Sequence, residues 1–137
     1  VSPDNPGASH DYDGIVKVAV HEFVHLAAVQ INSLAPVYLR EGLAVYLAGQ
    51  QEGVAEVYAA GVQSGTFPSS SQLAELSAGD GAYQYGYMFV EYLVFEYGYD
   101  GLLAFYKAPE LTSVFNISHE RFDESWSAYL NGTYAAG

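Results

Sequence analysis

Apolar positions along the chain fall in blocks of helical rather than strand length. Ile15 to Ile31 is mostly apolar, too long for one strand, and apolar on nearly every face, which predicts a buried helix. Pro36 suits the first turn of a second helix, predicted from about Pro36 to Gln51. Glu52 to Gly65 reads as a third, shorter helix ending at a glycine. Ser69–Ser71 is expected to cap a short helix containing Glu75, and Gly79–Asp80–Gly81 reads as a turn. Ala82 to Tyr97 reads as a long helix ended by Gly98, followed by a short helix over Asp100–Lys107 before Pro109. Ser118 is placed to N-cap a final helix reaching about Leu130, with Arg121 where a capping-box acid would sit. No segment clearly alternates with period two, so strands should be few. Residues 1–14, with two prolines, two glycines, Asn5 and three aspartates, read as loop. The expected organisation is therefore an N-terminal loop, 1–14, and one mainly α domain, 15–137, with little or no β-sheet.

Composition narrows the picture. Half of the 137 residues are apolar, enough for a sizeable core. Four basic residues stand against sixteen acidic ones, a net charge of -12. Nucleic-acid binding needs cationic surface to neutralise phosphates, so no nucleic-acid partner is expected, and a polybasic membrane patch is excluded for the same reason. Lys17, His21, Glu22 and His25 interrupt the most apolar stretch, so no run is expected to reach membrane-spanning length and no membrane insertion is expected. Without cysteine there are no disulfides and no thiolate metal sites. The chain starts at Val1 with no initiator methionine or signal peptide, which reads as a mature form or an excised domain. The acidic, Tyr-, Gly- and Ser-rich, Lys-poor balance leans towards a secreted or cell-envelope protein.

The candidate chemistry lies inside the first predicted helix. His21-Glu22-Phe23-Val24-His25 fits H-E-x-x-H. Residues four apart on a helix project from one face, so the two imidazoles can grip one metal ion. Glu22 lies about 100° round from His21 and can serve as general base towards a water activated by that metal. Burying three polar groups without partners would cost about 1–3 kcal/mol each. A metal ion and its water would satisfy all three; backbone carbonyls are the alternative. A catalytic zinc takes three protein ligands and keeps a fourth position open. His10, His119 and several acids are candidates for the third. Glu41 stands out within the otherwise apolar Tyr38-Leu39-Arg40-Glu41-Gly42-Leu43-Ala44, where Gly42 permits close helix approach. A short connection over 32–35 makes the two helices antiparallel neighbours, so that Glu41 can face the histidines. The alternative for Glu41 is a surface carboxylate paired with Arg40.

H-E-x-x-H followed by Leu39-Arg40-Glu41-Gly42-Leu43-Ala44 resembles the signature of gluzincin zinc peptidases, most nearly the peptidase MA-like domains, with Tyr38 in place of the usual tryptophan. Ser64–Pro68 with Leu73, Tyr83–Gly86 with Val90, Tyr92 and Leu93, and Phe122 through Trp126, Tyr129 and Leu130 extend the likeness over about residues 15–131. The resemblance implies a zincin-like helical catalytic domain, zinc held by His21, His25 and Glu41, and Glu22 as general base. Tyr83 would donate to the oxyanion, with Tyr85 and Tyr87 as rivals and His119 as another donor. The family carries a β-sheet before the zinc helix, where this chain has fourteen residues; either the sheet belongs to sequence outside the chain or substrate alignment differs. Thermolysin-like members place an acid four residues after the ligand glutamate to orient a histidine. Val45 occupies that position here, leaving that orienting role unassigned. Three readings follow. The first is a zinc metallopeptidase acting on peptides or proteins. The second is a zinc-holding scaffold without peptidase activity. The third is a metal-free helical interaction domain, which would melt identically with and without chelator.

Overall fold

The computed structural model of the chain describes residues 8–135, with side chains from Tyr12 onward. The chain folds as α1 (Ala8–Ile31), α2 (Val37–Leu47), α3 (Val54–Ser64), α4 (Ala82–Lys107), α5 (Leu111–Phe115) and α6 (His119–Tyr134), and no strand occurs among the described residues. The mainly α class expected from the pattern is what the chain adopts. Residues 1–7 of the expected loop lie outside the described residues. Residues 8–14 are helical, so α1 begins at Ala8 and not at Ile15. A helix already nucleated by the apolar block extends at little cost through Asp11, Tyr12 and Asp13, since propagation adds one hydrogen bond per residue fixed.

Local chemistry accounts for most of the boundaries. Pro36 sits at the N-cap of α2 with φ −66°, one position before the expected first turn, where its missing N–H costs nothing. α2 stops at Leu47, four residues short of the expected end, because Gly49 adopts φ +71° and turns the chain back. Gly65 closes α3 in the left-handed conformation, as its position predicted. The short element around Glu75 is a 3-10 turn, Leu73–Glu75; its N-cap is Gln72, whose Oε1 accepts the Ser69 N–H at 2.8 Å, and not a serine. A second 3-10 turn, Ala78–Asp80, carries a reciprocal capping box between Ser77 and Asp80. Gly98, at φ 72° and ψ 178°, breaks α4 into the two segments anticipated on either side of it. Ser118 caps α6 by accepting the Arg121 N–H at 3.1 Å; that bond uses the arginine's backbone, so its side chain does not disturb it. α6 continues to Tyr134, beyond the expected Leu130, and α5 was not anticipated.

α4 is the central element, packed on α2 and touching α3, α5 and α6. Phe89 is fully buried there, with the rings of Tyr38, Phe105, Phe122 and Trp126 at 5.3–5.6 Å. Edge-on and tilted pairs of this kind favour the ring quadrupoles. Trp126 satisfies its buried indole N–H on the Met88 carbonyl at 3.3 Å. α2 and α4 cross at two glycines. A Cβ on Gly42 would lie 2.5 Å from the Gly86 carbonyl, and one on Gly86 would run into the Tyr38 carbonyl oxygen. The close approach that Gly42 permits is thus to α4, and not to α1.

α1 departs from expectation. Of its described side chains only Val24 and Ala28 are buried, while Phe23 is 68% and Leu26 71% exposed. An all-round apolar pattern was read as burial on all sides, but α1 rests mainly on α2 and only that face is covered. Tyr12–Ile31 is also long and apolar enough to cross a membrane by length and composition, contrary to the expectation from its charged interruptions. Single polar residues spaced among apolar ones leave the average hydropathy high. A charged residue at a bilayer centre costs about 2.5–3.5 kcal/mol on insertion scales, and Glu22 lies mid-helix.

The α2–α4 crossing predicts that Gly42→Ala or Gly86→Ala destabilises the fold by about 3 kcal/mol in urea unfolding, since the obstruction is backbone and cannot move aside. Gly132, in α6 with open space around it, should instead gain about 0.5–1 kcal/mol on substitution by alanine. A second prediction concerns Glu91 on α4, which accepts the Tyr134 hydroxyl at 2.6 Å. Burial raises its carboxyl pKa, partly opposed by that hydrogen bond. The folded state therefore holds this proton more tightly than the unfolded chain, and the associated stability is lost as pH rises through the folded pKa. Glu91→Gln should raise the melting temperature at neutral pH, and the gain should vanish below the ordinary glutamate pKa of about 4.3.

Candidate metal centre

Three side chains from two helices converge. His21 and His25 lie one turn apart on α1 with ring centroids 4.8 Å apart. The chain reverses over residues 32–36, helped by Asn32, whose Oδ1 accepts the Leu34 N–H at 2.9 Å. α2 then brings Glu41 back against the histidines. Glu41 Oε1 lies 3.1 Å from Nε2 of His21 and 3.1 Å from Nε2 of His25. The donor atoms of the three residues all fall within 4.8 Å of one another, and all three side chains are partly buried. Arg40 does not pair with Glu41; its Nε donates to the Ala35 carbonyl at 3.1 Å.

These donors fit a zinc ion. Two ligands about 2.0–2.1 Å from a tetrahedral zinc lie about 3.3 Å apart, close to the observed nitrogen–oxygen separations. Two imidazole nitrogens and one carboxylate also form a known catalytic zinc set. The hydrogen-bond geometry is compatible with that. His21 Nδ1 lies 2.6 Å from Gln50 Oε1, an oxygen placed to accept from the Nδ1–H tautomer. In that tautomer the neutral ring presents a bare Nε2 lone pair to the Glu41 oxygen, and a cation between the two would relieve their repulsion.

Glu22 points elsewhere, as its position one residue round the helix requires. It is exposed and makes no contact with the other three donors of the kind a ligand would. It lines two open cavities that flank the group. One, of about 360 Å³, is also bordered by His21, Val45, Gln50 and Tyr83. The other, of about 310 Å³, is bordered by His25, Arg40, Glu41 and Tyr106. The donor group thus lies between two clefts that share Glu22.

Of the three rival tyrosines, Tyr83 is the one at the centre. Its ring stacks towards His21 at 6.3 Å. Burial raises its hydroxyl pKa, helped by the negative charges of Glu41 and Glu22 and opposed by Arg40, so the hydroxyl keeps its proton as a donor. Tyr85 packs its ring on Phe67 at 5.1 Å, and the Tyr87 hydroxyl donates to Gln51 at 3.3 Å. His119 Nδ1 pairs with Ser70 Oγ at 2.9 Å, at the start of α6, and does not join the donor group. The side chain of His10 lies outside the described residues. Gln50 was not foreseen. The second helix was expected to run on to about Gln51, and nothing in the pattern signalled that a turn at Gly49 would bring the next residue to a histidine.

A melting experiment follows from this geometry. Zinc at about 100 times its dissociation constant should stabilise the fold by about 2.7 kcal/mol, and chelator should remove the gain. His25→Ala should melt at the same temperature with and without zinc. The assignment of this centre rests on its geometry; no family model, no curated protein and no solved structure matches the chain.

Proposed function

We propose that the chain is a zinc-dependent metallopeptidase domain with a zincin-like helical architecture of the gluzincin type, acting on peptides or proteins. The observation that carries this reading is the division of labour around H-E-x-x-H. Its two histidines meet Glu41, while its glutamate stays apart and opens onto the cleft. An adventitious H-E-x-x-H has no reason to find a third ligand twenty residues from its first histidine on a separate helix.

His21, His25 and Glu41 would hold the zinc, which when bound supplies Lewis-acid polarisation of the scissile carbonyl and lowers the pKa of a water at its open position. Glu22 removes a proton from the attacking water as the new carbon–oxygen bond forms. It then delivers that proton to the amide nitrogen as the carbon–nitrogen bond breaks, leaving a carboxylic acid and a free amine. The Tyr83 hydroxyl, kept protonated by its surroundings, donates to the carbonyl oxygen as negative charge develops there. The flanking cavities give an extended chain room on both sides of the donor group. A net charge of -12 supports neither a nucleic acid nor an anionic membrane as partner.

A peptide-library digest read by mass spectrometry tests the proposal. The zinc-loaded parent should cleave. Glu22→Gln should keep its zinc and lose cleavage by about 10²–10⁴-fold. Tyr83→Phe should lower kcat by about 10²–10³-fold with zinc content unchanged. A Glu22→Gln variant as fast as the parent would refute the general-base role. A zinc-loaded parent that leaves every peptide intact would favour a zinc-holding scaffold.

A further inference from the structure

The first histidine of the metal helix needs a partner on its far nitrogen. A ligand imidazole free to rotate or to exchange tautomers spends only part of its time with the correct lone pair aimed at the metal. Thermolysin-like gluzincins, whose zinc motif this chain's resembles, place an acid on the second helix for this purpose. Here the corresponding residue is the buried Val45, which cannot accept a hydrogen bond.

The chain supplies an acceptor by another route. α2 ends in two capping bonds: the Gly49 N–H donates to the Tyr46 carbonyl at 3.1 Å, and the Gln50 N–H to the Val45 carbonyl at 2.8 Å. This is a Schellman pattern, with Ala48 as C-cap and Gly49 left-handed beyond it. The turn folds Gln50 back beside the end of α2, on the side where α1 passes. Its Oε1 meets His21 Nδ1 at 2.6 Å, the shortest hydrogen bond at the centre. Gln50 also lines the larger of the two cavities beside His21 and Glu22.

We infer that Gln50 is the positioning residue of the metal centre: its side-chain oxygen, delivered by the Gly49 turn, holds His21 as the Nδ1–H tautomer with the bare Nε2 aimed at the metal position. The inference rests on the zinc reading above, but its structural part stands without metal. The helix stop and the ligand orientation are then one device, because the turn that ends α2 is what brings the acceptor to His21. An amide oxygen is a weaker acceptor than a carboxylate, so His21 is oriented without an added negative charge beside Glu22 and Glu41.

Two measurements on the full chain test this. The first is the nitrogen and carbon NMR signature of the His21 ring in metal-free protein in mildly alkaline buffer, which reports its tautomer directly. The parent should show Nδ1–H. Gln50→Leu should shift the ring towards Nε2–H, and Gln50→Glu, which keeps an acceptor oxygen, should restore Nδ1–H. The second is zinc affinity by competition with a chromophoric chelator. Gln50→Leu should bind about 10–100-fold more weakly, and Gln50→Glu at least as tightly as the parent. A His21 tautomer unchanged in Gln50→Leu, or an unchanged zinc affinity in that variant, would overturn the inference while leaving the zinc site intact. If Gln50→Leu does not fold, loss of Nδ1–H or of affinity in Gln50→Glu overturns it alone. A parent that binds no zinc, yet changes tautomer on Gln50→Leu, would refute the metal reading and keep the Gln50–His21 bond.

Discussion

Where α2 crosses α4, neither helix has room for a methyl group. Gly42 faces Gly86, and the space a Cβ would take is occupied by the other helix's backbone. Small residues let two helix axes approach closely, and close approach fixes which residues on each side face the gap. On α2 the residue before the contact glycine is Glu41. On α4 the residue three positions before Gly86, hence on nearly the same face, is Tyr83. One contact therefore sets the relative positions of a metal-ligand candidate and a hydrogen-bond donor from different parts of the chain.

The remaining parts of the centre are hung on that crossing. α1 is held mainly by α2, through Val24 and Ala28 below and through His21 and His25 at Glu41. Its apolar outer side gives the helix no further support among the described residues. Polar contacts consequently carry a larger share of its placement than is usual for so apolar a helix. The bond from Gln50 to His21, the convergence of both imidazoles on one carboxylate oxygen, and the bond from the Asn32 amide to the Tyr106 carbonyl at 3.0 Å all tie α1 to its neighbours. Metal binding at the three donors would add a further clamp between α1 and α2, so the arrangement of the donors and the seating of the helix are physically the same problem.

The legible parts of the sequence were those governed by local rules. Gly65 and Gly98 stop helices because only glycine adopts their left-handed backbone cheaply, and Ser118 caps because a hydroxyl reaches an N–H three residues on. The histidine pair was legible because helical spacing alone puts two rings on one face, and Glu41 because a carboxylate inside an apolar helix needs a reason. What failed was non-local. An apolar pattern reports what a helix could bury, and α1 shows that it does not report what is there to cover it. Gly42 was read as permitting close helix approach, but sequence reveals a small residue and not its partner, which is Gly86 on α4. Gln50 escaped notice because its role depends on the direction in which a turn releases the chain. Tyr83 could be separated from Tyr85 and Tyr87 only once the ring positions were known, since all three share one apolar, tyrosine-rich segment.

The central claim is that His21, His25 and Glu41 form a single zinc site. The most direct test is zinc per chain, by elemental mass spectrometry, in the purified protein after zinc reloading and removal of excess, measured beside Glu41→Ala. The account predicts about one zinc in the parent and a much smaller amount in the variant, as expected when one of three protein ligands is removed. No zinc in the reloaded parent, or equal zinc in both proteins, would contradict it.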